Sequence, residues 1–225
     1  VRVMNAEGPV TLTEMVTATG LAKGTTSRIL NALDRSGLLS RSAQGGYEAG
    51  PVLNHFAIRG GAYSALIDSV TPAMEEIAAV SRETVSLAVA GRDAIDSIAQ
   101  VDGTYLLGSR NWVGETVPAH CSAGGKVLLA YGALSLPTEL QALTPATITD
   151  ATVLDRQLRI VRERGYAVIR NELEPGLVSV AVPVFAASGK ILAAMSVTGP
   201  AERITEADEA RIAGLMKREI DKSNK

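Results

Sequence analysis

At 225 residues, 46% of them hydrophobic and 20% charged, the chain is long enough for one large packed domain or two small ones. Its single cysteine, Cys121, excludes an intramolecular disulfide, a zinc ribbon and a C-x-x-C pair; with apolar runs short of the roughly 18 residues a membrane span needs, this points to a reducing, cytoplasmic setting and no membrane partner. The formal net charge of -2 is unevenly spread: residues 1–60 hold six Lys and Arg against four Asp and Glu, the remainder is net acidic, and such a basic head suits phosphate backbones.

Residues Val1 to Ala6 read as the tail of a helix whose beginning lies upstream, so the native protein is expected to be longer at this end. Leu12, Met15 and Val16 then form the inner face of a short helix, Gly20 supplies a left-handed turn residue, and Leu21 closes the corner. A second helix from about Ala22 to Arg35 turns Thr26, Ile29, Leu30 and Leu33 inward and leaves Lys23, Gly24, Ser27, Arg28 and Asn31 outward. That outer face is cationic, small and hydrogen-bonding, the chemistry of a helix that reads DNA. Ser36-Gly37 stops the helix, and Leu38 to Arg41 with Tyr47 to Ala49 make a hairpin wing about Gln44-Gly45-Gly46, so the segment is a winged helix-turn-helix. The candidate DNA contacts are Lys23, Gly24, Thr25, Ser27, Arg28, Asn31 and, on the wing, Arg41.

Gly50-Pro51 marks a boundary, which gives a DNA-binding domain over 1–50, a helical linker over 51–67 and a second domain over 68–225. In the connector, Val52, Leu53, Phe56 and Ala57, then Tyr63, Leu66, Ile67 and Val70, recur at helical spacing up to Pro72 and offer apolar faces for self-association. Met74 to Arg82 is a separate helix. Strands are expected at Thr84 to Ala90, Ala94 to Val101, Tyr105 to Arg110, Tyr166 to Arg170, Leu177 to Phe185 and Lys190 to Thr198. Helices are expected at Ser122 to Tyr131, from a capping box at Thr152 and Asp155 to Gly165, and from Thr205 and Asp208 through the stripe Ile212, Leu215, Met216 and Ile220. The whole is α+β: a winged helix followed by an antiparallel sheet flanked by helices.

A two-residue Ser188-Gly189 turn pairs the last two strands so that Ser179 faces Thr198 and Ala181 faces Ser196. These small or hydroxyl residues line one surface, while Val178, Val180, Val182, Met195 and Val197 pack on the other. Small hydroxyls leave volume for a ligand and donors to hold it; a merely solvated sheet face is the alternative. In His120-Cys121-Ser122-Ala123-Gly124-Gly125-Lys126, a glycine pair opens a helix whose free N–H groups suit a carboxylate or phosphate. The stretch is not a P-loop and makes a poor catalytic dyad, because adjacent His and Cys side chains diverge; Cys121 reads as a small buried residue and Lys126 as a snorkelling helix lysine.

Three stretches in order, GLAKGTTSRILNALDRSGLL, HCSAGGKVLLA, and GYAVIRNELEPGLVSVAVPVF with ILAAMSVTGP, resemble the winged helix, the loop and helix, and the effector-domain strands of the IclR family of bacterial transcriptional regulators. The resemblance implies a GAF-like ligand-binding domain, a homodimer or homotetramer, double-stranded DNA with palindromic operators as partner, and a small organic acid as effector. Carried onto matching positions, it places the effector pocket at Ala123, Gly124, Leu177, Ser179, Ser196 and Thr198. The chain departs from the pattern at Gly24, where many members carry a hydroxyl, and at Ile169-Arg170, where members often carry an acidic pair; an inward Arg170 would favour a more anionic effector. The expected function is therefore a ligand-responsive, DNA-binding transcriptional regulator with no catalytic residue, metal or cofactor. A sensor that signals through protein contacts, or an enzyme that processes small acids through His120 and Cys121, are the alternatives.

Overall fold

The computed structural model describes residues 8–42, 45–53, 61, 63–92, 94–105 and 111–223, and the chain divides into two units, Val1–Ser64 and Ala65–Lys225. The expected helix tail at Val1 to Ala6, most of the expected strand after Tyr105 and part of the connector lie outside the described residues.

In the first unit, helix α1 (Leu12–Thr19) opens with a reciprocal cap: Glu14 N donates to Thr11 Oγ1 and Thr11 N donates to the Glu14 carboxylate. It ends at Gly20, whose φ of 68° turns the chain into helix α2 (Lys23–Arg35). Strands β1 (Leu39–Arg41) and β2 (Tyr47–Ala49) pair antiparallel as the wing. Buried Leu30, Leu39 and Tyr47 form the core, with Leu12, Met15 and Leu33 packed against them. Ile29 departs from expectation: it is 45% exposed, because it sits at the margin of a stripe whose centre is filled by buried Thr26 and Leu30, with Leu33 packed beside them.

The second unit begins with helix α3 (Ser64–Ser81), which runs unbroken through Pro72 where the sequence suggests two segments. Proline deletes one hydrogen bond, and the buried stripe Val70, Ala73, Met74, Ile77 and Ala78 holds the helix together across the gap. Six strands, β3 (Thr84–Ala90), β4 (Ile95–Val101), β5 (Thr116–Val117), β6 (Ala167–Arg170), β7 (Leu177–Phe185) and β8 (Ile191–Pro200), form one antiparallel sheet in the order β5-β4-β3-β8-β7-β6. On one face Val85, Leu87, Val180, Val182, Met195 and Val197 are fully buried, and helix α6 (Glu206–Ser223) contacts β7. On the other, Ala88, Ala181 and Ala194 are small enough to seat helix α4 (Ala123–Ala130), every residue of which is buried, with helix α5 (Ala151–Arg164) against it.

The cap of α5 is Asp150, whose carboxylate accepts from Thr152 N and Val153 N, two residues before the expected Thr152 box; Gly165 closes the helix at φ 74° as expected. Thr205 and Asp208 do open α6: Asp208 Oδ2 accepts from both Thr205 N and Thr205 Oγ1. The hydrogen bond from Arg211 Nη2 to Asp208 Oδ1, and after it those from Thr205, hold the Asp208 carboxyl below the usual carboxylate range, at about 2.

Candidate effector cavity and DNA-reading surface

Ser179 pairs with Thr198 and Ala181 with Ser196, as expected. The connecting turn differs: Ala186 N donates to Lys190 O across a three-residue loop with Gly189 at φ 80°, and a register shift between Val184 and Phe185 restores the pairing. The two departures cancel. Strand β3 extends the surface, with Ser86 opposite Ser196 and Thr84 opposite Thr198.

Helix α4 covers only the alanine half of this face, so the hydroxyl half is left as the floor of a cavity of about 70 Å³. The six positions Ala123, Gly124, Leu177, Ser179, Ser196 and Thr198 all line it. Ser86, Ser97, Ser122, Trp112 and Leu173 are among further lining residues that sequence reasoning missed, and among the described residues the lining carries no charged side chain.

Ser86 was reachable by extending the small-residue alternation Thr84, Ser86, Ala88. Ser97 was not, because a register shift places Ala88 opposite Ser97 and Leu87 opposite Ala99, which inserts Ile98 and reverses the parity of β4. Ser97 is 4% exposed, and its Oγ is buried with no hydrogen-bond partner among the described residues. Such a hydroxyl is costly unless something else bonds to it. Ser179 Oγ and Thr198 Oγ1 lie 2.8 Å apart and share one hydrogen bond, so one of their two protons stays available.

At the end of α4, Ser122 Oγ accepts from Gly125 N at 3.2 Å, and helix geometry leaves the N–H groups of Ala123 and Gly124 without an intrahelical acceptor. The mouth of the cavity therefore carries the positive end of a helix dipole. Arg170 does not reach it: strand alternation sends Ile169 to the cavity and Arg170 to Glu209 at 2.9 Å and Ile204 O at 3.2 Å.

Lys126 is not a snorkelling lysine. It is 1% exposed, and its ammonium donates to both Glu172 carboxylate oxygens at 2.6 and 2.7 Å and to Gln157 Oε1 at 2.6 Å. Burial pushes the Lys126 pKa down and the Glu172 pKa up, each against the attraction of the other. Burial also pushes the Cys121 thiol up to about 11, while His120 Nε2 lies 2.9 Å from Gln141 O. Among the described residues no cluster of His, Cys, Asp and Glu could hold a metal ion, and no helix is long and apolar enough to cross a membrane.

In the first unit, Lys23, Gly24, Arg28 and Arg41 are exposed, and Thr25, Ser27 and Asn31 half-buried. Arg41 reaches across from the wing: its Nη2 donates to Asn31 Oδ1 at 2.7 Å, its Nε lies 3.4 Å from Asp34 Oδ2, and its guanidinium sits 5.4 Å from the Tyr47 ring centroid. Ala22 offers no capping side chain, so the first N–H groups of α2 stay open.

Residues 3–43 match the IclR helix-turn-helix domain, and residues 63–222 match the family described as bacterial transcriptional regulator IclR C-terminal. The chain is 35% identical over 224 residues to the HTH-type transcriptional regulator Rv1719 of Mycobacterium tuberculosis, covering 96% of this chain and 84% of that one. It is 29% identical over 223 residues to the transcriptional repressor IclR of Escherichia coli, covering 91% and 78%. Among solved structures, Thermotoga maritima IclR superposes with a TM-score of 0.69 at 26% identity, covering 99% of this chain and 92% of that one. An IclR homolog from Microbacterium hydrocarbonoxydans, solved with 4-hydroxybenzoate, shares the fold with a TM-score of 0.69 at 24% identity, covering 99% and 95%. With its helix-turn-helix and its C-terminal ligand-binding domain both matched, this chain belongs to the IclR family of bacterial transcriptional regulators.

Proposed function

We propose that this protein is a cytoplasmic, non-enzymatic regulator that binds palindromic operator DNA and releases or tightens it when a small monocarboxylate enters the cavity under α4. The observation that carries this is the buried Ser97 hydroxyl, unpartnered among the described residues, in a cavity that also holds the open N–H groups of Ala123 and Gly124. The carboxylate meets the helix N-terminus, the hydroxyls of Ser179, Ser196 and Thr198 bond its oxygens, and Trp112, Ile95 and Leu177 enclose an apolar body. Among the described residues the lining is hydroxyl, amide and apolar, which suits a ligand with a single carboxylate. The 4-hydroxybenzoate of the Microbacterium hydrocarbonoxydans structure is a ligand of this class. The burial of the Cys121 thiol, which pushes its pKa up to about 11, supports the non-enzymatic reading over one that works through His120 and Cys121.

The test is a ligand-stabilisation screen against small monocarboxylates, followed by titration of the wild type and Ser196→Ala. One lost hydrogen bond to a charged group is worth roughly 1.5 to 3 kcal/mol, so Ser196→Ala is expected to bind the best acid about ten-fold more weakly or worse. DNA binding without ligand is expected to persist. Undiminished effector affinity in folded Ser196→Ala and Ser97→Ala would remove these hydroxyls from the site. Assembly is checked separately: one winged helix covers too few base pairs for specificity, so a homodimer or homotetramer is expected on a two-fold operator. A strictly monomeric mass at micromolar concentration with a single asymmetric footprint would contradict it.

A further inference from the structure

The cavity has two walls that the chain builds from distant segments: the first turn of α4, and residues 171–177 between β6 and β7. Consecutive residues of the second wall point opposite ways, Leu173 into the cavity and Glu172 to the Lys126 ammonium. Lys126 itself belongs to α4, one turn after Ala123 and Gly124. The turn is compact: Asn171 adopts φ 62° and its Oδ1 accepts from Gly176 N at 2.7 Å. From outside, Thr144 Oγ1 donates to Asn171 O and Thr147 Oγ1 to Glu172 O, both at 2.6 Å.

We infer that Lys126 and Glu172 form a latch that positions the Leu173–Leu177 wall against α4, closing the effector cavity when paired and opening it when the pair separates. Neither residue touches the effector; both act through Leu173, Leu177 and the α4 terminus. The inference rests on the reading of the cavity as the effector site.

A second cavity, of about 490 Å³, makes the latch reversible. It lies behind the pair and is lined by Lys126, Gln157, Arg164, Arg170, Glu172 and Glu209 among others. Its charges are already engaged: Lys126 with Glu172, Arg170 with Glu209, and Arg164 with Tyr166 O. It is therefore a poor second ligand site. It leaves Glu172 room to swing away from the buried Lys126, and a carboxylate that turned into that space would be solvated there and not left as a bare buried charge.

The latch is tested on the full chain by amide hydrogen exchange and by ligand kinetics, with 4-hydroxybenzoate as the probe and Trp112, the single tryptophan, as the fluorophore in the cavity. In Lys126→Met, amides of residues 171–177 are expected to exchange about ten-fold faster or more, while peptides from α6 keep wild-type protection. Glu172→Gln keeps an acceptor for the ammonium but loses the charge, and is expected to show the same local effect, smaller, should Lys126→Met fail to fold. The probe is expected to dissociate about ten-fold faster from the variant with little change in association. Exchange at 171–177 that stays at wild-type rate in a folded variant, or rises equally across α6, overturns the latch, as does equal dissociation from wild type and variant. Faster local exchange in a protein whose wild type ignores every monocarboxylate tried would leave the latch standing and sink the effector reading instead.

Discussion

Gly125→Ala is expected to destabilise the second unit by about 3 kcal/mol or more, whereas the neighbouring Gly124→Ala leaves it folded. A Cβ on Gly125 would be driven into the Ala119 backbone, within 2.6 Å of its carbonyl carbon, and backbone cannot step aside as a flexible side chain can. Alanine's advantage over glycine inside a helix, at most about 1 kcal/mol, does not offset that overlap. A Cβ on Gly124 instead meets Ile95 Cδ1 at 3.5 Å, Ala194 Cβ at 3.6 Å and Ala88 Cβ at 3.9 Å, which is ordinary contact. It would still narrow the mouth of the cavity, so Gly124→Ala is expected to weaken the effector without loss of stability. Urea denaturation of the two variants beside wild type decides this: matching midpoints for Gly125→Ala and wild type would mean that the α4 terminus is not wedged against Ala119.

The glycine pair was legible in the sequence as a helix opening, but not the division of labour within it, which depends on what packs outside the helix. The same limit recurs. Pairing of Ser179 with Thr198 was recoverable because alternation on β7 and β8 dictates which residues share a face, even though the loop and the register shift that produce it are invisible to pattern. On β4 a single inserted residue, Ile98, hid Ser97, the residue whose orphan hydroxyl marks the site most sharply. Lys126 looked like a surface lysine because its partner Glu172 is 46 residues away, and local spacing carries no information about such a contact. Pro72 suggested a helix end that tertiary burial overrides. What the sequence conceals here is chiefly the long-range pairing, and that is where the site gains its polarity.

On the DNA-binding unit, Arg28→Ala is expected to weaken operator binding about 5- to 150-fold at physiological salt, the equivalent of 1 to 3 kcal/mol, while leaving fold and effector affinity intact. Arg28 is exposed on α2, one turn from the open N–H groups of Lys23 and Gly24, so a phosphate held at that terminus would fix the helix with Arg28 facing the groove. Asn31 is more constrained: Arg41 occupies one lone pair of its Oδ1 and ties the amide to the wing, which disfavours the two-way pairing with adenine that a free asparagine makes. Specificity is thus expected to rest on Arg28 more than on Asn31. Two outcomes separate reading from positioning. If Arg28 reads a base, the variant loses discrimination at one operator position; if it touches phosphate, affinity falls alike for all sequences and the salt slope shrinks by about one. Arg159→Ala, which removes one exposed charge from the second unit, serves as the control for net charge alone. Operator affinity in folded Arg28→Ala equal to that of the control would take this helix out of the groove.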